Sequence, residues 1–567
     1  MARLKLHHCF LGLALTPFLG CGQSTRDGDC TGAYRPIHEL QGADETSPLA
    51  DQEVTVRGIV VGDFQGTHRL DGFFVQDPDS DEDPLTSEGL FIFAPESSDV
   101  AVGDVVQVTG RVEEYSRLTQ LSARKPIEIC RSGDAPDPVP LSLASDRLES
   151  FEGMSVIVRD ELTVASTHLL ASAGQLLVAQ GGRPFHTTQR ESTDDPQPVP
   201  TLLIDDGSRV ENPVSPPFLE PAGTRRVGDT VRGLVGILAQ EDENYVLLPT
   251  APASFEIVNP RPQSPPEVGG TARVASFNLL NLFSTLGERG AESAKELERQ
   301  CAKHVAAIRG LNADIVALIE LENLGDTAQQ LLVDALNDSE SRDEKAWAAV
   351  PTPASGMGDD PIRVGMIYRP ATARTVGLPM ADHDPVYKRP PLAQTFDLRG
   401  QRLTVVVGHF KSKRCGDAEG ENKDAGDGQG CWNALRTHQA ERLATWVTEL
   451  QSTGPDVLVL GDLNAYGTED PIRALVDSEL VDQVATHVPP PQRYSYIYSG
   501  VSGYLDHALT TGSLDRKVTG VAFWHINSDE PTVHDYRIEV ESEADAYYRP
   551  DPFRSSDHDP VLIGLDF

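Results

Sequence analysis

Residues 271–283 read TARVASFNLLNLF, and the sequence pattern of the chain changes at this stretch. Its apolar residues have the spacing of a largely buried β-strand. Helical spacing follows over residues 292–309, and a second buried strand, ADIVALIELEN, begins at residue 313. Strand and helix patterns then alternate to residue 567. The sequence therefore predicts that residues 271–567 form one α/β or layered α+β domain.

Two stretches of short alternating strands precede this domain, at residues 51–131 and 151–258. The motif V-G-D-x-V begins at Val102 and recurs at Val227, each time before a strand, a turn and another strand. Each stretch has the size of a five-stranded barrel, so we predict two small all-β OB-like barrels related by a loose duplication. The fold class is α+β, and the segments between the domains, 132–150 and 259–270, are predicted as linkers.

The N-terminus has the pattern of a bacterial export signal. Basic residues precede an apolar stretch from Cys9 to Leu19, which predicts a signal peptide over residues 1–20. A small residue precedes Cys21, as in lipoprotein signals, so we expect lipid on Cys21 and a polar tether over residues 21–50. We therefore predict an exported protein, lipid-anchored at the bacterial outer membrane or cell surface and otherwise extracellular, whose membrane contact is the anchor alone.

The chain has seven cysteines, and two pairs of them are plausible disulfides in an exported protein. Cys30 and Cys130 bracket the first barrel, while Cys415 and Cys431 bracket a polar loop. Cys301 is left over, and its helical spacing with apolar neighbours favours packing in the core.

The formal net charge of −38 limits how a polyanion could bind. Such a chain has no overall basic surface that could hold nucleic acid by releasing counterions. Nucleic acid would have to be bound by a local basic patch or through a metal ion. Otherwise the charge indicates a solvated acidic surface.

One acidic loop has the spacing of a calcium site. Five of the six carboxylates of QDPDSDEDPLTSE, residues 76–88, stand at positions 1, 3, 5, 7 and 12 of such a loop, and they are Asp77, Asp79, Asp81, Asp83 and Glu88; the sixth is Glu82. However, a glutamate stands where the sharp turn of a calcium loop needs glycine. Two interpretations remain open, an additional structural Ca²⁺ and a solvated turn.

Polar side chains that can bind a metal or transfer a proton stand at the ends of several strands of the third domain. In chain order they are Asn278, Glu320, His409, Asp462 with Asn464, Asp506, and Asp557 with His558. Strand ends gather side chains into a common crevice, so we expect a single site. Its carboxylates suit Mg²⁺, Mn²⁺ or Ca²⁺, and the spacing of a zinc motif is absent from the sequence. Carboxylates, amides and histidines together suit metal-assisted hydrolysis of a phosphodiester.

Several motifs, taken in order, resemble those of the endonuclease/exonuclease/phosphatase superfamily. They are S-F-N-L-L-N, A-L-I-E, G-H-F-K-S-K, L-G-D-L-N-A, Y-L-D-H and S-S-D-H-D-P. The chain is similar to bacterial secreted nucleases that carry OB-like domains before the catalytic domain. This resemblance implies a four-layered sandwich, in which two mixed sheets pack together with helices outside.

The resemblance also implies which residues contact the metal and the phosphate. Glu320 would hold a divalent ion, Mg²⁺ or Mn²⁺, with Asp557 nearby. Asn278 would lie beside the metal and the phosphate, and Asn464 would bind the phosphate. For Arg369 a phosphate contact and a structural ion pair are equally compatible with the sequence.

The remaining roles implied by the resemblance concern proton transfer. Asp462 would orient or deprotonate the attacking water. Asp506 would pair with His558 and keep it oriented and protonated, and His409 would be the second histidine of the site.

Three functions follow as hypotheses from these observations. The first is a metal-dependent extracellular nuclease acting on DNA, with RNA as a further substrate and no obligate protein partner. The second is a phospholipid or sphingomyelin phosphodiesterase on the same scaffold, which should expose an apolar loop for membrane entry. The third is a surface protein without catalytic activity that binds polymers through its OB-like domains.

Overall fold

The computed structural model of the chain describes residues 30–567 except 96, 98, 145–146, 190–198, 340–346, 453, 455 and 539–545. The predicted signal peptide and Cys21 lie outside the described residues. In the described part, none of the helices combines the length and the apolar character that crossing a membrane requires.

The first barrel is closed and has the strand order of an OB-fold. Its elements are α1 (Ile37–Gln41), β1 (Glu53–Phe64), β2 (Gly72–Gln76), β3 (Gly89–Phe93), β4 (Asp104–Tyr115), β5 (Leu118–Ala123) and β6 (Glu128–Ser132). The order is β1-β2-β3-β5-β4, and β4 pairs back onto β1 to close the ring. The pair β3–β5 is parallel, while β1–β2, β2–β3, β4–β5 and β1–β4 are antiparallel. The prediction of a small five-stranded barrel is confirmed.

The segment that the sequence analysis interpreted as a tether is packed onto this barrel from Cys30 onwards. Ile37 and Leu40, three positions apart on α1, are fully buried in the barrel core. Cys30 and Cys130 form a disulfide, as predicted. Two apolar residues and one cysteine within a polar segment thus help to fix its second half.

The second barrel shows the same order with an interrupted first strand. Its elements are β7 (Val139–Leu141), β8 (Ser155–Val158), β9 (Leu162–Ser166), α2 (Leu170–Ala173), β10 (Gln175–Gln180), β11 (Thr201–Asp205), β12 (Thr230–Val231), β13 (Leu234–Glu241), β14 (Asn244–Pro249) and β15 (Phe255–Glu256). The strand order is β15-β12-β9-β10-β11-β14-β13-β8-β7. Because β8 and β9 follow each other in the chain, they act as two halves of one first strand and bring the ends of this order together.

The repeated V-G-D motif adopts the same local structure in both barrels. Gly103 and Gly228 have φ angles of +95° and +99°, which glycine adopts without strain. Each glycine N–H donates to the first strand of its own barrel, at 2.9 Å and 2.8 Å. Asp104 and Asp229 each accept the backbone N–H three residues earlier, at 3.0 Å and 3.2 Å. The motif is therefore a structural turn, and its recurrence supports a duplication.

Residues 272–567 form two six-stranded mixed sheets with helices outside. The elements are β16 (Ala272–Leu282), α3 (Ala294–Leu311), β17 (Ile315–Glu322), α4 (Thr327–Ser339), β18 (Ala348–Ala349), β19 (Ile362–Tyr368), β20 (Ala373–Ala381), β21 (Leu392–Leu398), β22 (Gln401–His409), α5 (Asn433–Gln451), β23 (Val457–Asp462), α6 (Asp470–Asp477), β24 (Val481–Asp482), α7 (Gln483–His487), β25 (Tyr496–Tyr498), β26 (Val501–Gly503), β27 (Asp506–Thr510), α8 (Gly512–Asp515), β28 (Val518–Phe523) and β29 (Val561–Leu565). The sheet orders are β18-β19-β17-β16-β29-β28 and β20-β21-β22-β23-β27-β24, and β25 pairs with β26 as a hairpin.

Alternate residues of the central strands belong to different cores. Val274 and Val405 face the core between the two sheets. Their neighbours Ala275 and Val406 face outward, against α3 with α4 and against α5 with α6 respectively. Because successive side chains of a strand point to opposite faces, a strand that is apolar on both faces must be covered on both. The result is the four-layered sandwich that the resemblance implied.

Strand directions place the expected catalytic residues at one edge of the two sheets. The pairs β16–β17 and β22–β23 are parallel, so their C-terminal ends lie at the same edge. The strands β29 and β27 run antiparallel to β16 and β23, so they begin where those strands end. Asp462 pairs in register with both His409 and Asp506. Residues far apart in sequence are thereby brought to one crevice.

We expect that Gly461→Ala destabilises this edge by about 3 kcal/mol or more. Gly461 has a φ of +137°, and a Cβ there would lie 2.0 Å from the carbonyl oxygen of Gly408 on the neighbouring strand. Chemical denaturation measures the loss of unfolding free energy. Gly416→Ala is the control, because a Cβ at Gly416 meets no atom within 4 Å. Equal stabilities of the two variants would contradict the expectation.

A buried ion network joins the second barrel to the catalytic domain. Asp529 and Glu530 are almost completely buried. Arg183 binds Asp529 at 2.9 Å, and Arg226 contacts both carboxylates. Asn259, in the segment predicted as a linker, donates to Asp529 at 2.7 Å. The arginines belong to the barrel and the carboxylates to the catalytic domain, so neither domain could bury its charges without the other.

A loop of the second barrel also reaches the side of the catalytic crevice. The His186 ring stacks on Tyr466 at 4.0 Å between centroids. Thr188 donates to Glu469 at 2.9 Å, and the Gln189 side chain accepts the N–H of Tyr504 at 2.8 Å. Tyr504 lies two residues before Asp506, so the barrel supports the segment that carries this carboxylate.

Candidate active site

Glu320 is held at the crevice by a local distortion of two strands. It has a φ of +65° within β17, a strained conformation for a residue other than glycine. Leu280 and Asn281 on β16 also have positive φ, and the register of both strand pairs shifts here. The N–H of Asn281 is thereby turned to donate to Glu320 Oε2 at 3.0 Å. The backbone of β16 and β17 is thus irregular at the position where it orients the Glu320 carboxylate.

Glu320 and Asp557 form a pair of neighbouring carboxyl groups. Burial and the negative charge of Asp557 raise the pKa of Glu320, while His558, Asn278 and Arg389 oppose the rise. Two carboxylates that destabilise each other's charge suit a divalent cation, which offsets both. The residues present therefore fit the divalent metal that the resemblance implies.

Asn278 links the carboxylate pair to Asp462. Its Nδ2 lies 3.3 Å from Glu320 Oε1 and 3.4 Å from Asp462 Oδ2. Its Oδ1 accepts the N–H of Leu280 at 3.0 Å, which fixes the orientation of the amide. One buried amide therefore contacts the ends of strands from both sheets.

Asp462 lies between the two histidines at the end of β23. Its Oδ2 is 3.6 Å from His409 Nε2 and 3.9 Å from His558 Nε2. Its Oδ1 accepts the N–H of Asn464, whose side chain donates to the Phe410 carbonyl at 3.2 Å. Burial raises the pKa of Asp462 to about 7, with the positive charge of His558 opposing the rise. Such a carboxyl can exchange a proton near neutral pH.

His558 is held by Asp506, Ser495 and Tyr496. Nδ1 of His558 donates to Asp506 Oδ2 at 2.7 Å, and the Ser495 hydroxyl donates to the same oxygen at 2.6 Å. The Tyr496 ring stacks on the imidazole at 4.6 Å. Burial alone would lower the pKa of His558, but Asp506, Asp462 and Asp557 raise it well above its ordinary value. The imidazole is therefore positively charged at neutral pH, with Nε2 directed toward Asp462.

His409 has the opposite electrostatic environment. Burial, together with the positive charges of Arg389 and His558, lowers the pKa of His409 well below its ordinary value. Among the described residues its Nδ1 has no hydrogen-bond partner. One charged and one neutral imidazole thus flank Asp462.

Comparison with known proteins assigns this arrangement to a family. The family model described as the Endonuclease/Exonuclease/phosphatase family matches residues 275–558, half of the chain. The chain belongs to the Endonuclease/Exonuclease/phosphatase family. Members of this family are phosphoesterases and typically depend on divalent metals, so this chain is a phosphoester hydrolase. A search of curated proteins found no similar sequence.

Solved structures of similar proteins cover the family domain. The mannosyl-6-phosphatase of Bacteroides thetaiotaomicron is 17% identical, with a TM-score of 0.36, 52% of this chain covered and 100% of that chain. The D. rerio protein TDP2 with a single-stranded DNA product is 14% identical, with a TM-score of 0.33, 52% of this chain covered and 97% of that chain. The human Nocturnin catalytic domain with bound sulfate is 17% identical, with a TM-score of 0.33, 52% of this chain covered and 93% of that chain.

Arg369 does not lie with the other expected phosphate ligands of the family site. It follows β19 at the opposite edge of the sheet, where its Nε donates to the Ala313 carbonyl at 3.2 Å. Its guanidinium packs over the Trp347 ring at 4.2 Å. Because Ala313 precedes β17 and Glu320 comes near its end, the length of that strand separates Arg369 from the site. This placement corrects the expected phosphate contact and favours a structural role.

Arg389 is a cation of the site that the sequence analysis missed. It lies in the loop before β21 and donates to the Phe410 carbonyl, next to His409. Burial lowers the pKa of Arg389, and Asp360, Asp462 and Glu320 oppose this change. The motif Y-K-R-P-P lacks the strand-end pattern that identified the other residues, but a basic residue followed by two prolines is a usable signal of a fixed loop.

The loop after His409 is closed by the second predicted disulfide. Cys415 and Cys431 are bonded. Lys413, at the start of this loop, binds the buried carboxylate of Glu469 at 2.6 Å. Cys301 is a buried free thiol in a hydrophobic core, as expected. The disulfide and the ion pair together limit how far the loop can move from the crevice.

The acidic loop 77–88 does not gather the five carboxylates at its calcium-loop positions around one point in the way a calcium loop does. Asp77, Asp81 and Asp83 each accept a backbone N–H two residues further on, at 3.2 Å, 2.8 Å and 3.0 Å. Within the described residues, the group of potential metal ligands that does converge consists of His38, Asp81 and Glu88. Glu82, which stands at the glycine position of a calcium loop, adopts a φ of +61°, a conformation that is strained for a residue other than glycine.

Proposed function

We propose that this protein is an exported, metal-dependent phosphodiesterase that hydrolyses DNA, with RNA as a further substrate. The observation that carries the proposal is the convergence of four separate segments. Asn278 lies within hydrogen-bond distance of both Glu320 and Asp462, and His558 Nε2 is 3.9 Å from Asp462. These groups could all touch one phosphoryl group, as in-line attack by a water molecule requires.

The residues divide into a metal side and a proton-transfer side. Glu320 and Asp557 would hold Mg²⁺ or Mn²⁺, which when bound offsets negative charge on a phosphoryl oxygen. Asp462 orients the attacking water and accepts its proton. Asp506 fixes the ring of His558, so that Nε2 can donate to a phosphate oxygen.

The crevice is bordered by cations although the chain is acidic overall. Arg554 lies three residues before Asp557, Arg414 lies in the loop after His409, and the positive charges of both oppose the rise that burial causes in the pKa of Tyr496. Lys411, two residues after His409, lies 5.0 Å from the ring centroid of Trp432. A local basic border is what an acidic protein needs to hold a polyanion.

The hairpin that carries Tyr496 also exposes a second aromatic residue. Tyr498 is 67% exposed and lies two residues after Tyr496 on the same hairpin, so both side chains are on one face. Aromatic rings next to a basic border bind unpaired bases by stacking. This combination supports nucleic acid as the substrate.

Removing the divalent metal is the direct test of the mechanism. We expect the purified protein to degrade plasmid DNA, EDTA to abolish the activity, and Mg²⁺ or Mn²⁺ to restore it. Glu320→Gln should lower kcat by about 100-fold or more, because one anionic ligand of the metal is lost. The rate of nicking on an agarose gel measures both effects.

Glu322→Gln is the matched control for this test. Glu322 lies on the same strand, but it accepts hydrogen bonds from Ser284 and Thr285 instead of facing the site. The metal dependence of the Glu322→Gln variant should equal that of the wild type. Full activity in EDTA, or equal losses in the two variants, would overturn the metal assignment.

A substrate panel distinguishes the nuclease from the lipid phosphodiesterase. Leu378 is 84% exposed and Met380 is 42% exposed on the edge strand β20, which is the observation that favours the lipid enzyme. Duplex DNA, single-stranded DNA, RNA and sphingomyelin vesicles should therefore be compared. Higher turnover of sphingomyelin than of any nucleic acid, reduced in Leu378→Asp, would replace the nuclease proposal.

Export and lipid attachment at Cys21 belong to the proposal as well. The two disulfides are consistent with folding in an oxidising compartment. Labelled palmitate incorporated by the wild-type protein and lost in Cys21→Ser would identify the anchor.

A further inference from the structure

The segment that precedes the first barrel meets the acidic loop at three potential metal ligands. His38 lies on α1, and Asp81 and Glu88 lie on the loop between β2 and β3. His38 Nδ1 is 3.5 Å from Glu88 Oε2 and 3.9 Å from Asp81 Oδ2. All three ligand atoms lie within 4.8 Å of one another.

Glu88 provides an independent reason to expect a ligand. The residue is only 5% exposed. Its Oε1 accepts the N–H of Asp81 at 2.9 Å, whereas Oε2 has no hydrogen-bond partner among the described residues. The facing Nδ1 of His38 is also buried and without a hydrogen bond there. A buried carboxylate oxygen left without a donor is costly unless a cation offsets it.

The distances are those of a metal site rather than of a hydrogen-bonded ion pair. A direct N–H···O bond would require about 2.7–3.2 Å between nitrogen and oxygen. Two ligands at about 2.1 Å from a tetrahedral ion lie about 3.4 Å apart, close to the His38–Glu88 separation. An ion between the three groups would satisfy both unpartnered atoms at once.

We propose that His38, Asp81 and Glu88 bind a divalent transition metal, with zinc as the preferred ion. One imidazole nitrogen and two carboxylate oxygens form a mixed donor set that suits Zn²⁺, whereas Ca²⁺ prefers oxygen ligands alone. Water completes the coordination. The metal would attach α1 to the barrel, in addition to the attachment of the same segment by the Cys30–Cys130 disulfide. This site is distinct from the catalytic carboxylates and does not depend on the proposed function.

Zinc stoichiometry tests the proposal. The full chain carrying Glu320→Gln, which weakens the catalytic metal site, is stripped with a chelator and titrated with Zn²⁺ by calorimetry. We expect His38→Asn and Glu88→Gln each to remove one bound Zn²⁺ per chain, or to weaken it by more than the roughly 10–100-fold that changes behind a metal ligand cause. Zn²⁺ should raise the Tm of the parent but not of these variants.

His68→Asn is the matched control, since His68 is exposed on a loop of the same barrel. It should keep the Zn²⁺ stoichiometry and the rise in Tm. If Glu88→Gln fails to fold, the d–d absorption of bound Co²⁺ is compared between the parent and His38→Asn, and it shows whether His38 is a ligand of the metal. Unchanged Zn²⁺ binding in His38→Asn, no Zn²⁺ bound by the parent, or Ca²⁺ binding independent of His38 would each overturn the proposal.

Discussion

Replacing His558 by alanine is expected to lower kcat on plasmid DNA by about 1,000-fold or more. The wild-type imidazole is positively charged, fixed by Asp506 at 2.7 Å, and directed at the crevice through Nε2. Its removal takes away a charge and a hydrogen-bond donor where negative charge develops. Single-turnover cleavage with saturating metal measures the loss in the chemical step.

Two further variants distinguish this role from a structural one. His558→Asn retains a donor that can reach Asp506, so it should fold like the wild type and remain inactive. His438→Ala, on the exposed face of α5, should keep full activity. Activity of His558→Asn within about tenfold of the wild type would contradict the proposed role, since a positioned acid contributes at least about 100-fold.

Replacing Asp529 by asparagine is expected to cost about 3–5 kcal/mol of unfolding free energy. Asp529 is completely buried and pairs with Arg183 and Arg226 of the second barrel. The asparagine would leave these guanidinium groups buried with one carboxylate fewer. The shift of the urea midpoint measures the loss, and Arg232→Ala, at an exposed pair with Glu161, should change stability by about 0.5 kcal/mol or less.

Acid should remove the same contribution from the wild type. Burial alone would raise the pKa of Asp529, but the positive charges of Arg183 and Arg226 lower this pKa to about 2. A carboxylate whose folded pKa is depressed stabilises the protein above its unfolded pKa of about 3.9. This contribution is therefore lost as the pH falls from about 4 toward 2. If Asp529→Asn showed the same acid dependence and the same midpoint as the wild type, the network would have no such role.

Features that repeat along the chain could be predicted from the sequence. The V-G-D turns at Gly103 and Gly228, the two-sided apolar strands around Val274 and Val405, and the polar residues at strand ends each follow from a local rule. Polar residues at strand ends can be identified from the sequence because an apolar run that stops at a carboxylate places that carboxylate at the edge of a sheet.

What could not be predicted depends on local distortion or on contacts between domains. The positive φ of Glu320 breaks the strand rule that its sequence follows. Arg389 reaches the site from a loop, and Arg369, for which the sequence left a phosphate contact and a structural ion pair open, is held at the far edge by Ala313 and Trp347. Asn259 was interpreted as part of a linker because composition does not show which loop residue meets a buried charge.

The shared ion network also determines what can be removed from this protein. A truncation that begins at residue 271 would retain the whole family domain but would leave Asp529 and Glu530 facing water without Arg183 and Arg226. It would also expose the flank of the segment that carries Asp506, which the second barrel supports through Tyr504. We therefore expect the smallest stable form of the enzyme to include the second barrel, and a shortened form that loses activity would say nothing against the catalytic residues themselves.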